Sequence, residues 1–187
     1  MTWAEVRLLL SVLDVRETAV CMLATVAGMP PGEIFGLKWR HVRADHIQIE
    51  QRLYRGQIDS PKTNQSKRSV ALSQGLQTAI ARWKRSLAIA DLRSGCFPLR
   101  RGEPPRKDNC WRRWIAPRLR SVGLEWVNFQ VMRSTHASLM RELKVYPKVV
   151  ADQLGHSLDV DLNVYRKTAL GRRKEALDRF ESAVGVM

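Results

Sequence analysis

The sequence predicts a mainly α domain with a small antiparallel β-sheet set inside it, an α+β arrangement. Two observations carry this. Apolar residues recur at helical spacing along most of the chain, and the period falls to two only between about Ile47 and Leu72. No internal repeat, low-complexity tract or interdomain linker interrupts the pattern, so residues 1–187 are read as a single domain.

The elements follow in order. "TWAE" opens as a capping box, with Thr2 as cap and Glu5 three residues on. Trp3, Val6, Leu9, Leu10 and Leu13 then share one helical face. A second helix is expected over Glu17 to Ala27, apolar all round and therefore buried. "GMPPGE" breaks it, and Pro31 suits the first turn of a short third helix, "PGEIFGLKW". Ile47 and Ile49 alternate with Gln48 and Glu50 as a strand. Leu53 and Tyr54 belong to a second strand and "RSVAL" (68–72) to a third, with the turn-forming, basic "DSPKTNQSK" between them as a hairpin tip. Ser73 caps a helix expected to run to about Ala90. A basic, proline-containing loop follows, then a helix from Cys110 to Val122. Asn128 caps "FQVMRSTHASLMREL", "PKVVADQL" ends at Gly155, and the segment from Ala169 to Ala183 is amphipathic.

Charge narrows the function. Lys and Arg total 32 against 18 acidic residues, a formal +14, which predicts a polyanionic partner, nucleic acid first. No apolar run reaches the length of a membrane span, and "MTWAEVRLLL" mixes acidic and basic residues unlike a signal peptide. No membrane partner is expected. Cys21, Cys96 and Cys110 are odd in number and form no CxxC, which fits neither a disulfide framework nor a zinc site. A reducing cytoplasm, with the protein on the nucleoid, is the expected compartment.

Singly, the polar residues say little: Tyr165 suits packing, His156 a helix end, Lys62 a solvated hairpin tip. Arg133 says more, because its neighbours Val131, Met132, Ala137, Leu139 and Met140 predict a buried helix, and arginine is rarely buried without an anionic partner. The ordered set is more informative than its members. "AGMPPGEIFGLKW", "SPKTNQSKRSVAL", "FQVMRSTHASLM" and "QLGHSLDVDLNVY" follow one another along nearly the whole chain. Together they resemble the four boxes of the tyrosine recombinase, or phage integrase, catalytic domain: the arginine box, the lysine hairpin, His-x-x-Arg, and Leu-Gly-His with a tyrosine nine residues on.

The resemblance implies double-stranded DNA as partner and no cofactor or metal. It makes Tyr165 the nucleophile that attacks a DNA phosphate and forms a 3′-phosphotyrosyl link, conserving the bond energy for rejoining. Arg133 becomes a clamp on the non-bridging oxygens, where fork geometry suits the extra charge of the pentavalent phosphate. His156 bonds the phosphate or relays protons, and Lys62 protonates the leaving 5′-oxygen. Glu33 matches an acidic residue that orients local structure. Arg68, Arg101, Arg106 and Lys107 are expected on DNA beside Lys62, Arg133 and His156. Arg100, Arg112, Arg113, Arg118 and Arg120 are either backbone contacts or a solvated face, and Trp111 and Trp114 are expected in the core.

Two positions depart from the pattern. Gln130 stands at the histidine of His-x-x-Arg and can still bond a phosphate oxygen, but it does not titrate. Pro30 stands at the first clamp arginine and offers neither charge nor N–H; Lys38 and Arg40 are the nearest cations in sequence. Impaired cleavage is therefore expected, or a DNA-binding relic or regulator without cleavage. The resemblance also implies a preceding helical domain that completes a clamp around DNA. Here the chain starts directly at the catalytic domain, so weak, salt-dependent binding is expected. The segment 169–187, with Leu170, Leu177, Phe180 and Val184 on one face, is expected to dock on a neighbouring protomer on DNA. Composition alone also suits a basic RNA-binding protein, and the mechanism a type IB topoisomerase; neither accounts for the ordered boxes as well.

Overall fold

The computed structural model describes residues 1–59, 68–88, 95–97 and 110–155. Helix α1 (Trp3–Ser11) starts with both halves of the expected capping box: the Glu5 N–H donates to Thr2 Oγ1 (3.2 Å) and the Thr2 N–H to Glu5 Oε2 (2.6 Å). Of its predicted apolar face only Leu9 is buried. Trp3 is 42% exposed, its Nε1 donating to Glu142 (2.8 Å).

Helix α2 (Val15–Thr25) is the buried centre that its composition predicted, with Ala19, Val20, Cys21, Leu23 and Ala24 all enclosed. It also buries a charge. Glu17 is 3% exposed and takes two bonds from the Arg16 guanidinium, which lies 3.8 Å over the Trp114 ring. Pairing and an aromatic face together make that burial tolerable. Trp111, tilted against Phe129 at 5.1 Å, and Trp114 both pack against the core as expected.

Helix α3 (Pro31–Gly36) is shorter than the predicted "PGEIFGLKW". Leu37 and Lys38 turn extended, and Trp39–His41 forms a separate 3₁₀ turn. Strand β1 (His46–Gln48) pairs antiparallel with β4 (Ser69–Ala71), Ile47 opposite Val70 and both fully buried. The second strand, β2 (Arg52–Tyr54), does not extend this sheet. It pairs with a strand the sequence reading missed, β3 (Gln57–Asp59), as a hairpin of its own. Arg55 and Gly56 at its tip both have positive φ, +50° and +82°, the conformation that lets a two-residue turn follow strand twist. Gly32 and Gly36 let this hairpin lie directly on α3: a Cβ on Gly36 would stand 2.9 Å from the Arg52 Cα.

Helix α4 (Gln74–Arg85), capped by Ser73, ends before the expected Ala90; the Ser86 hydroxyl donates to the Trp83 carbonyl (2.7 Å) and closes the last turn. The helix predicted from Cys110 begins as a π-helical turn (Trp111–Ile115) before α5 (Ala116–Arg120). Pro117 explains the widening. Its ring has no N–H for the Arg113 carbonyl and clashes with it, and the Ala116 N–H donates five residues back, to Trp111. Helix α6 (Phe129–Glu142) is capped by Asn128, as expected, and α7 (Pro147–Leu154) ends at Gly155 in the left-handed region. The core gathers Leu23, Ile34, Leu119 and Met132 from α2, α3, α5 and α6, with Met29 from the turn before α3 and Ile115 from the π-helical turn. Among the described residues no helix is long and apolar enough to cross a membrane.

Candidate active site

Arg133 organises the site. It lies on α6, one helical turn after Gln130, and its guanidinium reaches two chain ends: Nη1 donates to the Gly28 carbonyl and Nη2 to the Leu154 carbonyl (2.7 Å). Gly28 lies in the turn that follows α2, beyond its cap residue Val26, and Leu154 is the last residue of α7. The Leu154 carbonyl is a helix-end acceptor without an intrahelical donor, so the arginine answers a need that the end of α7 creates and joins it to the turn after α2. The sequence reading expected an anionic partner for Arg133; these two bonds go instead to backbone oxygens 105 and 21 residues away.

Two glycines make that approach possible. Gly28 has φ +67°, and a Cβ there would stand 2.5 Å from Leu154 Cδ2 and 3.0 Å from the buried His136 ring. Gly155, at φ +71°, turns the chain out of α7. A Cβ there would meet the Arg68 guanidinium at 2.8 Å. The Leu-Gly pair of the last box therefore sits directly on the first and third boxes.

Arg68 and Glu33 form a buried fork, Nη1–Oε1 3.0 Å and Nη2–Oε2 2.9 Å, with 9% and 11% of the side chains exposed. Arg68 Nε donates to the Gln153 carbonyl (3.0 Å). Arg68 was expected on DNA; the partners it has here are protein acceptors on α3 and α7. Sequence reasoning missed this pairing and Gln153 with it, because the two ions are 35 residues apart on unlike elements. The only signal was an acidic residue in the buried run "EIFG".

Pro30 is wired as a helix start. It is half-buried at φ −72° and ψ 151°, and its carbonyl accepts from the Glu33 (3.0 Å) and Ile34 (3.2 Å) N–H groups. The following Pro31 enforces that extended geometry. Of the sequence-adjacent cations, Arg40 has its Nε 3.3 Å from His41 Nε2. The Lys38 N–H donates to His41 Nδ1 (3.3 Å), and Glu50 lies 3.2 Å from Nε2. Burial pushes the His41 pKa down, outweighing the pull of Glu50 the other way. Gln130 is exposed at the start of α6.

The Arg118 guanidinium bonds the Val12 carbonyl (3.1 Å) and pairs with Asp14, which ties α5 to the α1–α2 connection. Arg112, Arg113 and Arg120 are exposed. Lys62, His156, Tyr165, Arg100, Arg101, Arg106, Lys107 and the segment 169–187 lie outside the described residues.

The site thus joins Pro30 and Glu33, the strand that follows the lysine hairpin, Arg133, and the Leu-Gly turn. The sequence profile of the phage integrase family matches residues 1–171. No curated protein matches the chain in sequence. Among solved structures, the Tn1549 transposon integrase in complex with circular intermediate DNA superposes with TM-score 0.78 at 18% identity, over 96% of this chain and 66% of that one. XerH site-specific recombinase bound to difH substrate gives 0.70 at 18% identity, over 97% and 54%. XerA recombinase gives 0.67 at 16%, over 96% and 62%. At these identities the likeness establishes the fold, and the chain spans less than two thirds of each of these structures.

Proposed function

The chain belongs to the phage integrase family, and on that premise we propose that it is the catalytic part of a tyrosine-type, site-specific DNA recombinase whose cleavage step is slowed by Pro30. One observation carries the reading: Arg133 holds the Gly28 and Leu154 carbonyls together, so three boxes far apart in sequence share one guanidinium. A phosphate-cleaving site needs that convergence, because the charge of the transition state must meet donors already in place.

In the proposed step the Tyr165 oxygen attacks a DNA phosphorus, the P–O5′ bond breaks, and a 3′-phosphotyrosyl bond forms. Lys62 gives the departing 5′-oxygen its proton, while the tyrosine's proton passes to a neighbouring base or water. Arg133, His156 and Gln130 bond the non-bridging oxygens. Nothing is oxidised or reduced, and attack by a 5′-hydroxyl reverses the step. A missing preorganised donor at Pro30 costs about 3 kcal/mol, or roughly 10²- to 10³-fold in rate. On DNA, the segment 169–187 docks on a neighbouring protomer; its deletion should abolish assembly on DNA while the protein stays monomeric in DNA-free solution.

A second reading is favoured by one feature. Pro30 is fully used as the start of α3, its carbonyl accepting two N–H bonds, which suits a DNA-binding relic settled without the arginine. An SDS-resistant adduct assay separates the two, using nicked duplexes from the ends of the mobile element. An adduct from the wild type that is lost in Tyr165→Phe supports a working recombinase. No adduct from the wild type but one from Pro30→Arg supports the relic. No adduct from either, with both folded and bound to DNA, refutes the assignment of Pro30 to the clamp.

A further inference from the structure

Arg68 sits where three elements meet. Its fork grips Glu33 on α3 at 2.9 and 3.0 Å, its Nε reaches the Gln153 carbonyl at the end of α7 at 3.0 Å, and it lies immediately before β4. The far end of β4 is held by the same residue of α7: the Ala71 N–H donates to Gln153 Oε1 (3.0 Å), and Gln153 Nε2 donates to the Ala71 carbonyl (3.2 Å). The Gln153 carboxamide thus pairs with the outer edge of β4 as a further strand would. Gly155 closes the arrangement, leaving 2.8 Å between the Arg68 guanidinium and the place of an absent Cβ.

We infer that Arg68 is a positioning residue: a buried clasp, built on Glu33, that locks β4 and the last turn of α7 in one register. The inference rests on the recombinase reading for its consequence, since the clasped segments border Lys62 on one side and His156 on the other. Three observations separate this from a generic ion pair. All three donor directions of the guanidinium are used. The acceptors come from two separate elements, α3 and the last turn of α7. And both flanks are fixed by backbone bonds, the Arg68 carbonyl accepting from the Ile49 N–H (2.9 Å) and the Leu72 N–H donating to Asp45 (2.9 Å). A buried pair adds little net stability over apolar groups of similar volume, so its retention points to specificity of arrangement.

That property supplies the test. Replacing both partners, Arg68→Met with Glu33→Leu, removes the clasp without leaving a charge buried alone. The double variant should melt within about 3 °C of the wild type. Hydrogen exchange of the full chain is then followed in peptides covering Ala71 and 147–155, with α2 peptides as the internal reference. The Ala71 amide is the reporter, because its acceptor is Gln153 Oε1. The expected result is exchange roughly tenfold faster at Ala71 and in the last turn of α7, with α2 unchanged. Covalent adduct formation at saturating duplex should slow roughly 10- to 100-fold. Wild-type exchange in both peptides of a folded double variant overturns the clasp. Should the double variant not fold, Arg68→Lys, which keeps the charge and loses the fork, decides by the same exchange comparison. A wild type that forms no adduct counts against the recombinase reading alone, since the exchange result still stands.

Discussion

Replacing Gly28 by alanine tests the packing that brings the first, third and last boxes together. Two separate costs can be worked out. The residue has φ +67°, where an L side chain pays about 1–2 kcal/mol in backbone strain. The new methyl would also stand 2.5 Å from Leu154 Cδ2 and 3.0 Å from His136, and overpacking of that kind adds about 1–3 kcal/mol. Gly123 separates the two terms. It has φ +73° but nothing within 4 Å of an added Cβ, so Gly123→Ala should carry the strain alone. Urea denaturation of the wild type and both variants, with the slope checked for constancy, gives the difference directly. Gly28→Ala should be less stable than Gly123→Ala by about 1–3 kcal/mol, some 2–12 °C in melting temperature for a chain of this size. The variant should also form less covalent adduct, because the displaced Leu154 carbonyl helps orient Arg133. Equal destabilisation of the two variants would refute the claim that Gly28 is there for close approach.

Other outcomes follow from the same contacts. Gly36→Ala forces a methyl to within 3.0 Å of the Arg52 and Leu53 backbone, and it should cost about 1–3 kcal/mol in the same denaturation experiment. His41 has a lowered pKa in the fold, so the unfolded chain binds its proton more readily; stability should fall as pH drops from about 6.5 through the lowered value. Denaturation midpoints across that window should fall less in His41→Gln, and identical slopes would rule His41 out as the cause. Burial raises all three cysteine pKa values, that of Cys110 to about 12, leaving only about 10⁻⁴ of it as thiolate at pH 8. Ellman's reagent should find no fast-reacting thiol in the native protein and three after denaturation; one fast native thiol would contradict the burial of Cys21, Cys96 and Cys110.

Local chemistry was legible in the sequence. The Thr2–Glu5 capping box, the Ser73 and Asn128 caps, the buried α2, the strands in "HIQIE" and "RSVAL", and the stop at Gly155 each depend on residues close together in sequence, whereas the pairing of those two strands does not. The four ordered boxes likewise named the family, because their spacing is a property of the chain itself. Tertiary structure decided what those residues touch. Arg133 met the Gly28 and Leu154 carbonyls, Arg68 met Glu33 and Gln153, and Arg118 met Val12 and Asp14, at separations of 21 to 106 residues. Whether an arginine faces DNA or its own chain depends on which helix ends and carboxylates packing brings within about 3 Å. The β2–β3 hairpin escaped the sequence reading for a related reason: its strands are three residues long, and β3 is exposed throughout, so no apolar alternation marks it. Periodicity records which face of an element is buried. It does not record the partner, because the hydrogen-bonding groups that choose partners are present on every residue and become selective only when the fold removes water from them.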